Sequence, residues 1–249
     1  MAEEDLDKLD HPGEVDHPGE TDRRRGRDQR VERRAPYDPM PHGPAEVGVG
    51  PWLGQWPEGE EYDEQLLAVG DRRNVVDRYR YWKMDAIITD LDTRRHDFHI
   101  AIENWTHDFN IGTIVRSANA FLVKEVHIVG RKRWNRRGAM VTDRYQHIRH
   151  HETTSELSDY LREAGVRLLG IDNLPGSQPI ETMTLPRRCA LLFGQEGPGL
   201  SEAARDACDG TFSIAQFGST RSINASAAAA IAMHTWVRQH ADLDESWRG

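Results

Sequence analysis

From residue 98 to residue 240 the sequence alternates between short apolar runs of strand length and segments with helical periodicity. The strand-like runs cover residues 98–102, 125–130, 166–171, 188–193 and 211–214. The helical patterns cover residues 110–122, 155–164 and 224–240, with a short helix beginning at Ser201. This alternation predicts an α/β domain whose mainly parallel sheet is covered by helices on both faces.

The sequence before residue 60 has a different character. Residues 10–14 and 16–20 form a near-repeat, Asp-His-Pro-Gly-Glu, which is followed by an Arg-rich run over 23–34 and then by Pro/Gly-rich sequence. Too few apolar side chains are present to offset the entropy cost of ordering. We predict a disordered acidic and Arg-rich extension over 1–60, in which the arginines are either a solvated tail or an accessory RNA-binding arm.

Between this extension and the α/β pattern lies a segment of mixed charged and apolar residues. A helical rhythm over 61–94, broken at Gly70, predicts one or two helices that lead into a catalytic domain over 95–242. No apolar run approaches the roughly 20 residues that cross a bilayer, and the N-terminus opens on acids. We therefore expect a cytoplasmic protein without membrane contact.

Cysteine and histidine usage argues against a metal site. Cys189 and Cys208 lie too far apart for a metal-knuckle spacing, so both are interpreted as buried thiols. The histidines at 147, 150 and 151 have no Cys or acidic partner at a fixed spacing. We predict no bound metal.

The charge distribution favours a local nucleic-acid surface on an acidic chain. The formal net charge of -9 argues against the whole molecule binding polyanions. Residues 131–137, however, contain five basic residues around Trp134, and further Arg and His residues follow over 144–151. These side chains could bind phosphates and stack on an unpaired base, and a solvated charged surface is the alternative interpretation.

Three polar segments rich in Gly, Asn and Ser follow predicted strands. Ligands of parallel sheets bind beyond the carboxyl ends of the strands, which is where these segments lie. They are Asn104-Trp-Thr-His-Asp-Phe-Asn110-Ile-Gly112-Thr-Ile-Val-Arg116, Phe193-Gly194-Gln195-Glu196-Gly197-Pro198-Gly199-Leu200-Ser201, and Ile214-Ala-Gln-Phe-Gly218-Ser-Thr-Arg-Ser222-Ile223-Asn224-Ala-Ser226.

In this order and at these spacings, the segments resemble the three motifs of the SpoU/TrmH branch of the SPOUT RNA methyltransferases, over roughly residues 79–240. The resemblance implies a deep C-terminal trefoil knot, a homodimer, S-adenosyl-L-methionine (SAM) as cofactor, and methylation of a ribose 2′-hydroxyl in tRNA or rRNA. Residues 138–145 are similar to tRNA-directed relatives, which favours tRNA. The third motif departs from the family in reading Ile-Ala-Gln-Phe-Gly where Ile-Pro-Met precedes a Gly, and Ile-Asn-Ala-Ser where Leu-Asn-Val-Ser is usual.

The resemblance also implies roles for individual residues. Cofactor contacts carry over to Gly194, Ile214 and Ile223, largely through backbone atoms, with Phe193 and Ser222 beside them. Asn104 is expected to shape the first loop. Catalytic and RNA-positioning roles carry over to Asn110, Arg116, Glu196, Asn224 and Ser226.

Arg116 is the residue expected to act on the ribose oxygen. Its guanidinium stays protonated in proteins, so clamping a phosphate and stabilising the developing alkoxide fit it better than acting as a general base. Asn224 and Ser226 would orient Arg116 or the ribose, and Glu196 would brace the loop around the methyl donor. For single residues taken alone, a solvent-facing arginine, helix caps and an exposed loop acid are the competing interpretations.

Two other functions remain open at this point. A catalytically silent knotted RNA-binding protein would have no need to retain Arg116, Glu196, Asn224 and Ser226 together. A SPOUT enzyme that methylates a base is disfavoured by the third motif. A Rossmann-type methyltransferase is disfavoured because no G-x-G-x-x-G follows an early strand.

Overall fold

The computed structural model describes residues 48–105 and 110–242. The strands are β1 His96–Asn104, β2 Val123–Gly130, β3 Ile148–His151, β4 Arg167–Ile171, β5 Gln178–Pro179, β6 Cys189–Phe193 and β7 Gly210–Ser213. The helices are α1 Glu64–Val69, α2 Met84–Asp92, α3 Asn110–Ala120, α4 Thr154–Glu163, α5 Glu202–Ala207 and α6 Ala225–His240.

The seven strands of the described residues form one sheet in the order β3-β2-β1-β6-β4-β7-β5. Every neighbouring pair is parallel, which confirms the predicted sheet. Strand β6 lies between β1 and β4, although β4 precedes it in the chain. The carboxyl ends of β1, β4, β6 and β7 therefore lie at one edge of the sheet, where ligands of such sheets bind.

Helices cover both faces of the sheet, as predicted. On one face, apolar side chains of α3 and α6 pack against the strands, and the ring of Trp236 stacks on that of Phe98 with centroids 4.2 Å apart. On the other face, Leu157 and Leu161 of α4 and Ala204 of α5 pack against a second apolar cluster. Burial on both faces explains the nearly continuous apolar runs of the central strands.

Strand β3 gives several of the basic residues over 144–151 partners within the protein. Arg149 donates to Glu125 at 3.0 Å and lies 4.5 Å from the ring centroid of Tyr160. His151 is buried, and His147 is paired with Asp92 at 2.8 Å. The strand was not predicted because it is a short edge strand whose charged side chains are neutralised by neighbouring elements, so its sequence lacks apolar alternation.

A row of buried histidines lies between the sheet and α4. His99, His127 and His151 come from β1, β2 and β3, and their facing ring nitrogens are 2.9 and 3.0 Å apart. Burial lowers the pKa of His99 to about 4 and holds the pKa of His127 well below its usual value. These imidazoles are therefore neutral at physiological pH.

The thiols differ in burial. Cys189 is buried and Cys208 is half-buried, and desolvation raises the pKa of each to about 12. Both are therefore protonated and unreactive at neutral pH.

The lead-in segment begins earlier than residue 61. Of the extension predicted over 1–60, residues 1–47 lie outside the described residues. Val49 forms two backbone hydrogen bonds with Asp71, and the Trp52 amide donates to the Leu67 carbonyl at 2.9 Å. Residues 49–52 therefore belong to the folded lead-in.

The lead-in is fastened by the carboxylate of Asp71, which is fully buried and paired with Arg73 at 2.7 Å. It also accepts from the backbone amides of Arg73 and Tyr81 at 2.9 and 3.0 Å. Burial alone would raise the pKa of Asp71, but these hydrogen bonds outweigh it and hold the pKa below its usual value. Among the described residues, no helix combines the length and apolar character needed to cross a membrane.

Candidate active site

The second polar loop makes a tight turn directly after β6. The backbones of Gln195 and Gly199 hydrogen-bond to each other in both directions, at 3.0 and 3.2 Å. A Cβ atom on Gly194 would lie 2.0 Å from the carbonyl carbon of Gly199, so only glycine allows this approach of the two backbone segments. Gly199 itself has φ of 72°. The loop therefore presents backbone groups, with little side-chain bulk, at the strand end.

The third polar loop ends at the start of α6. Asn224 caps the helix, because its Oδ1 accepts from the backbone amides of Ser226 and Ala227 at 3.0 and 3.3 Å. The same oxygen accepts from the Ser226 hydroxyl at 2.6 Å. Asn224 and Ser226 are thereby held in one fixed arrangement.

A chain of hydrogen bonds joins the three loops. Asn110 Nδ2 donates to Glu196 Oε2 at 2.9 Å, and Asn224 Nδ2 donates to Asn110 Oδ1 at 2.8 Å. A carboxylate only accepts, so Glu196 determines which way the Asn110 amide faces, and Asn110 in turn determines the orientation of Asn224. Four of the five predicted catalytic residues thus form one network, Glu196-Asn110-Asn224-Ser226.

A cavity of about 260 Å³ lies beside this network, at the carboxyl ends of β4, β6 and β7. Its lining includes all of the residues predicted to bind the cofactor, together with two members of the network. These residues are Phe193, Gly194, Ile214, Ser222, Ile223, Glu196 and Asn224. Their roles remain predictions, but the structure places them around a single space.

Arg116 is the predicted catalytic residue that the structure places apart. It lies on α3, six residues after Asn110, and its side chain is exposed. Six residues of α-helix correspond to roughly 9 Å along the axis. Arg116 lies outside both the network and the cavity lining among the described residues, and its guanidinium is open to a solvent-side partner.

Comparisons with known proteins agree with this geometry. The model of the SpoU rRNA Methylase family matches residues 97–234, more than half of the chain. The chain belongs to this family. The match covers all three polar loops and ends within α6, so the family assignment and the cavity rest on the same part of the chain.

Two curated relatives are similar to this SpoU-family protein over part of its length. An uncharacterized tRNA/rRNA methyltransferase of Mycobacterium ulcerans is 34% identical over 155 residues, which cover 56% of this chain and 46% of the relative. The tRNA (guanosine(18)-2′-O)-methyltransferase of Escherichia coli K12 is 26% identical over 152 residues, which cover 60% of this chain and 66% of the relative. The chain thus spans between 46% and 66% of the length of these two relatives.

Solved structures show the same fold. The SpoU methyltransferase AviRb of Streptomyces viridochromogenes, in complex with AdoMet, is 29% identical with a TM-score of 0.52 over 60% of each chain. The TrmH/SpoU tRNA modifying enzyme of A. aeolicus has a TM-score of 0.56 at 19% identity, over 63% of this chain and 81% of that one. The second likeness concerns the fold alone.

Three residues of this SpoU-family site escaped the sequence analysis. Asp172 lines the cavity and accepts from the Leu200 amide at 2.8 Å, which fastens the second loop to the end of β4. Gln216 lines the cavity, and its Oε1 is buried without a hydrogen-bond partner among the described residues. The Glu103 carboxylate accepts hydrogen bonds from the backbone amide and the hydroxyl of Ser201, at 2.8 and 2.6 Å. Asp172 and Glu103 had a signal, an acid at or after the end of a buried strand.

Asn104 contacts the basic loop, residues 131–137, while its expected role in shaping the first loop stays a prediction, because residues 106–109 lie outside the described residues. Its Nδ2 donates to the carbonyls of Arg131 and Arg133, at 2.7 and 3.0 Å. Asn104 therefore anchors the basic loop beside the end of β1. This contact brings positive charge to the edge of the sheet that carries the cavity.

Proposed function

We propose that this protein transfers a methyl group from SAM to a ribose 2′-hydroxyl of tRNA or rRNA. The network Glu196-Asn110-Asn224-Ser226 beside the cavity is the observation that carries the proposal. It uses polar residues from three motifs, which a purely structural loop cluster would not require. An RNA substrate would place the protein in the cytoplasm.

The cavity has the features that a SAM site requires. The close approach at Gly194 exposes backbone groups to a ligand. Gln216 Oε1 is a buried acceptor that needs a donor, and the adenine amino group or the ammonium group of SAM would supply one. When bound, SAM provides an electrophilic methyl group. The related AviRb structure, which contains AdoMet, supports this assignment.

The residues around the cavity would act mainly by positioning. Holding the ribose oxygen in line with the methyl group accounts for a large share of such catalysis. Ser226 Oγ donates to Asn224 and keeps lone pairs that can accept a hydrogen bond from the ribose hydroxyl. Arg116 would bind the adjacent phosphate and stabilise the alkoxide as the proton leaves. Glu196 would fix the orientation of the Asn110 amide and, through it, that of Asn224.

The basic loop is the surface that would bind the RNA backbone. Arg131, Lys132, Arg133, Arg136 and Arg137 are all exposed. Trp134 packs against the core, and the Arg136 guanidinium lies 5.5 Å from its ring centroid. Arg136 also pairs with Asp143 at 3.4 Å. The remaining cations of the loop are available for phosphates of an RNA strand.

Replacing Arg131 and Arg133 together by Gln is expected to weaken RNA binding and to make the binding constant depend less steeply on salt concentration. Each phosphate contact contributes about 0.7–0.9 to the slope of log K against log salt, so the slope should fall by about 1.4–1.8. Asn104 bonds only the backbone carbonyls of these residues, so the loop should keep its position. Filter binding of tRNA over a salt series measures the slope.

The matched control replaces Arg162 and Arg205 by Gln. Both arginines are exposed, on α4 and α5, at the other face of the sheet. This double variant removes the same charge and should leave the slope nearly unchanged. Equal slopes for both double variants would mean that the basic loop does not contact RNA.

Two structural features of the family are part of the proposal. The position of β6 between β1 and β4 is compatible with a C-terminal trefoil knot, and the family resemblance implies a homodimer. Light scattering of the full chain tests the second feature. A monomeric mass at micromolar concentration would contradict it.

The reaction is tested by transfer of labelled methyl from SAM to total tRNA and, separately, to rRNA, followed by nucleoside analysis. We expect a labelled 2′-O-methylated nucleoside in one of the two RNAs. A labelled base would instead indicate a SPOUT base methyltransferase. SAM binding without label in either RNA would favour a catalytically silent RNA-binding protein.

A further inference from the structure

A second cluster of ligand-type side chains lies away from the cavity, on the face of the sheet that α4 covers. It consists of His99 on β1 and of Glu125 and His127 on β2. His99 precedes Asn104 by five residues, which corresponds to roughly 16 Å along the strand. None of the three residues has a part in the proposed methyl transfer.

The potential ligand atoms of these residues lie close enough together to converge on one ion. One atom from each residue lies within 4.8 Å of the others. His99 Nδ1 and His127 Nε2 are 2.9 Å apart, and His127 Nε2 is 3.7 Å from Glu125 Oε2. Ligand atoms of a tetrahedral zinc ion with bonds of about 2.0–2.1 Å are roughly 3.3 Å apart. The two pairs that include His127 lie within about 0.4 Å of this value, and the pair His99–Glu125, at up to 4.8 Å, would have to close further as the ion binds.

Neighbouring residues hold two of these side chains from behind. The other ring nitrogen of His127, Nδ1, is 3.0 Å from His151 Nε2, so the His127 ring is held with Nε2 towards His99 and Glu125. Arg149 donates to Glu125 Oε1 at 3.0 Å, and Tyr160 donates to Oε2 at 2.9 Å, so Oε2 faces His127 with a further lone pair for an ion. Such outer contacts orient ligands in known metal sites.

The cluster is accessible from solvent through a cavity of about 340 Å³ that is lined by His99, Glu125 and Tyr160. Lys124 and Arg188 also line it, but both are paired with Asp97 at 2.8 Å. The single carboxylate of Asp97 thus compensates one of these two positive charges, and the carboxylate of Glu125 would be needed to attract the cation. A water molecule from this cavity would complete four-coordination.

We propose that His99, His127 and Glu125 form a binding site for a divalent transition metal ion, best matched by Zn²⁺. Two imidazoles and one carboxylate are ligands that Zn²⁺ takes readily. The ion would tie β1 to β2 and, through the contact between Tyr160 and Glu125 at 2.9 Å, to α4. The prediction of no bound metal weighed the two cysteines and the histidines at 147, 150 and 151, but not His99 or His127.

The test uses the full chain after removal of metals with a chelator. Zn²⁺ is titrated by calorimetry, and Co²⁺ is titrated by visible absorption, which distinguishes four-coordinate from six-coordinate cobalt. We expect one equivalent of four-coordinate Co²⁺ that Zn²⁺ displaces. X-ray absorption of the zinc-loaded wild type should show two imidazoles and oxygen ligands. Absence of binding, or a different ligand set, overturns the proposal.

Variants separate this site from the histidines of the N-terminal repeat. His99→Ala should no longer bind the one equivalent of metal ion, and Glu125→Gln should weaken Zn²⁺ binding by at least about 10-fold. His150→Ala is the matched control: its Nε2 hydrogen-bonds to the Gly130 carbonyl at 2.6 Å, away from the cluster, so this variant should bind Zn²⁺ as the wild type does. Unchanged stoichiometry and Kd in folded Glu125→Gln would overturn the proposal. These experiments measure metal binding and not methyl transfer, so their outcome does not depend on whether the proposed function is correct.

Discussion

Arg116→Ala is expected to lower kcat for methyl transfer by about 10²–10³-fold, the usual effect of removing one group that stabilises developing negative charge. The exposed Arg116 lies outside the cavity lining, so Kd for SAM and the thermal unfolding temperature should stay close to wild type. Single-turnover transfer from labelled SAM measures the rate, and calorimetry measures Kd.

Two further variants make this result specific. Arg116→Lys keeps the charge but loses the planar, two-pronged geometry of the guanidinium, so it should recover only part of the rate. Arg205→Ala removes an exposed helical arginine on the opposite face and should turn over normally. Wild-type turnover in Arg116→Ala would refute the role that we propose for this residue.

Gly194→Ala should have the second large effect, on SAM binding. The new Cβ would lie within 2.0 to 2.2 Å of backbone atoms of Gly199 and Leu200, and no side-chain rotation relieves such a collision. Forcing an extra carbon into a packed site costs about 1–3 kcal/mol. Because the loop must open, we expect Kd for SAM to rise by about 10- to 100-fold.

Gly218→Ala is the matched control for this variant. Gly218 lies in the third loop, and an added Cβ would meet no atom within 4 Å. Calorimetric titration with SAM should therefore give a wild-type Kd for Gly218→Ala. If Gly194→Ala, folded by circular dichroism, also bound SAM as the wild type does, the cavity could not be the cofactor site.

Much of the fold could be predicted because burial leaves a local record in the sequence. The apolar runs of β1, β4 and β6 are nearly continuous because both faces of these strands are covered. Strand β3 has no such apolar pattern. It is an edge strand, and partners on other elements neutralise Arg149 and surround the buried His151. The strand pairs with β2, and Arg149 is neutralised there by Glu125, 24 residues earlier in the chain.

The members of the candidate site could be named from three motifs, but their connections could not. Asn110 is separated from Glu196 by 86 residues and from Asn224 by 114. The parallel sheet, in which β6 lies between β1 and β4, brings these loops together at one edge. Arg116 belongs to the same motif as Asn110, yet the turn of α3 places its side chain outside the network.

By itself, the sequence determined the class of fold, the three loops and the polar residues on them, because periodicity and motif order are properties of neighbouring residues. The tertiary structure alone decided that, within the described part of the chain, Gln216 has a buried oxygen without a hydrogen-bond partner, and that His99 meets Glu125 and His127. These features arise from strand order and register, which bring distant residues within a few ångströms and which no local pattern encodes.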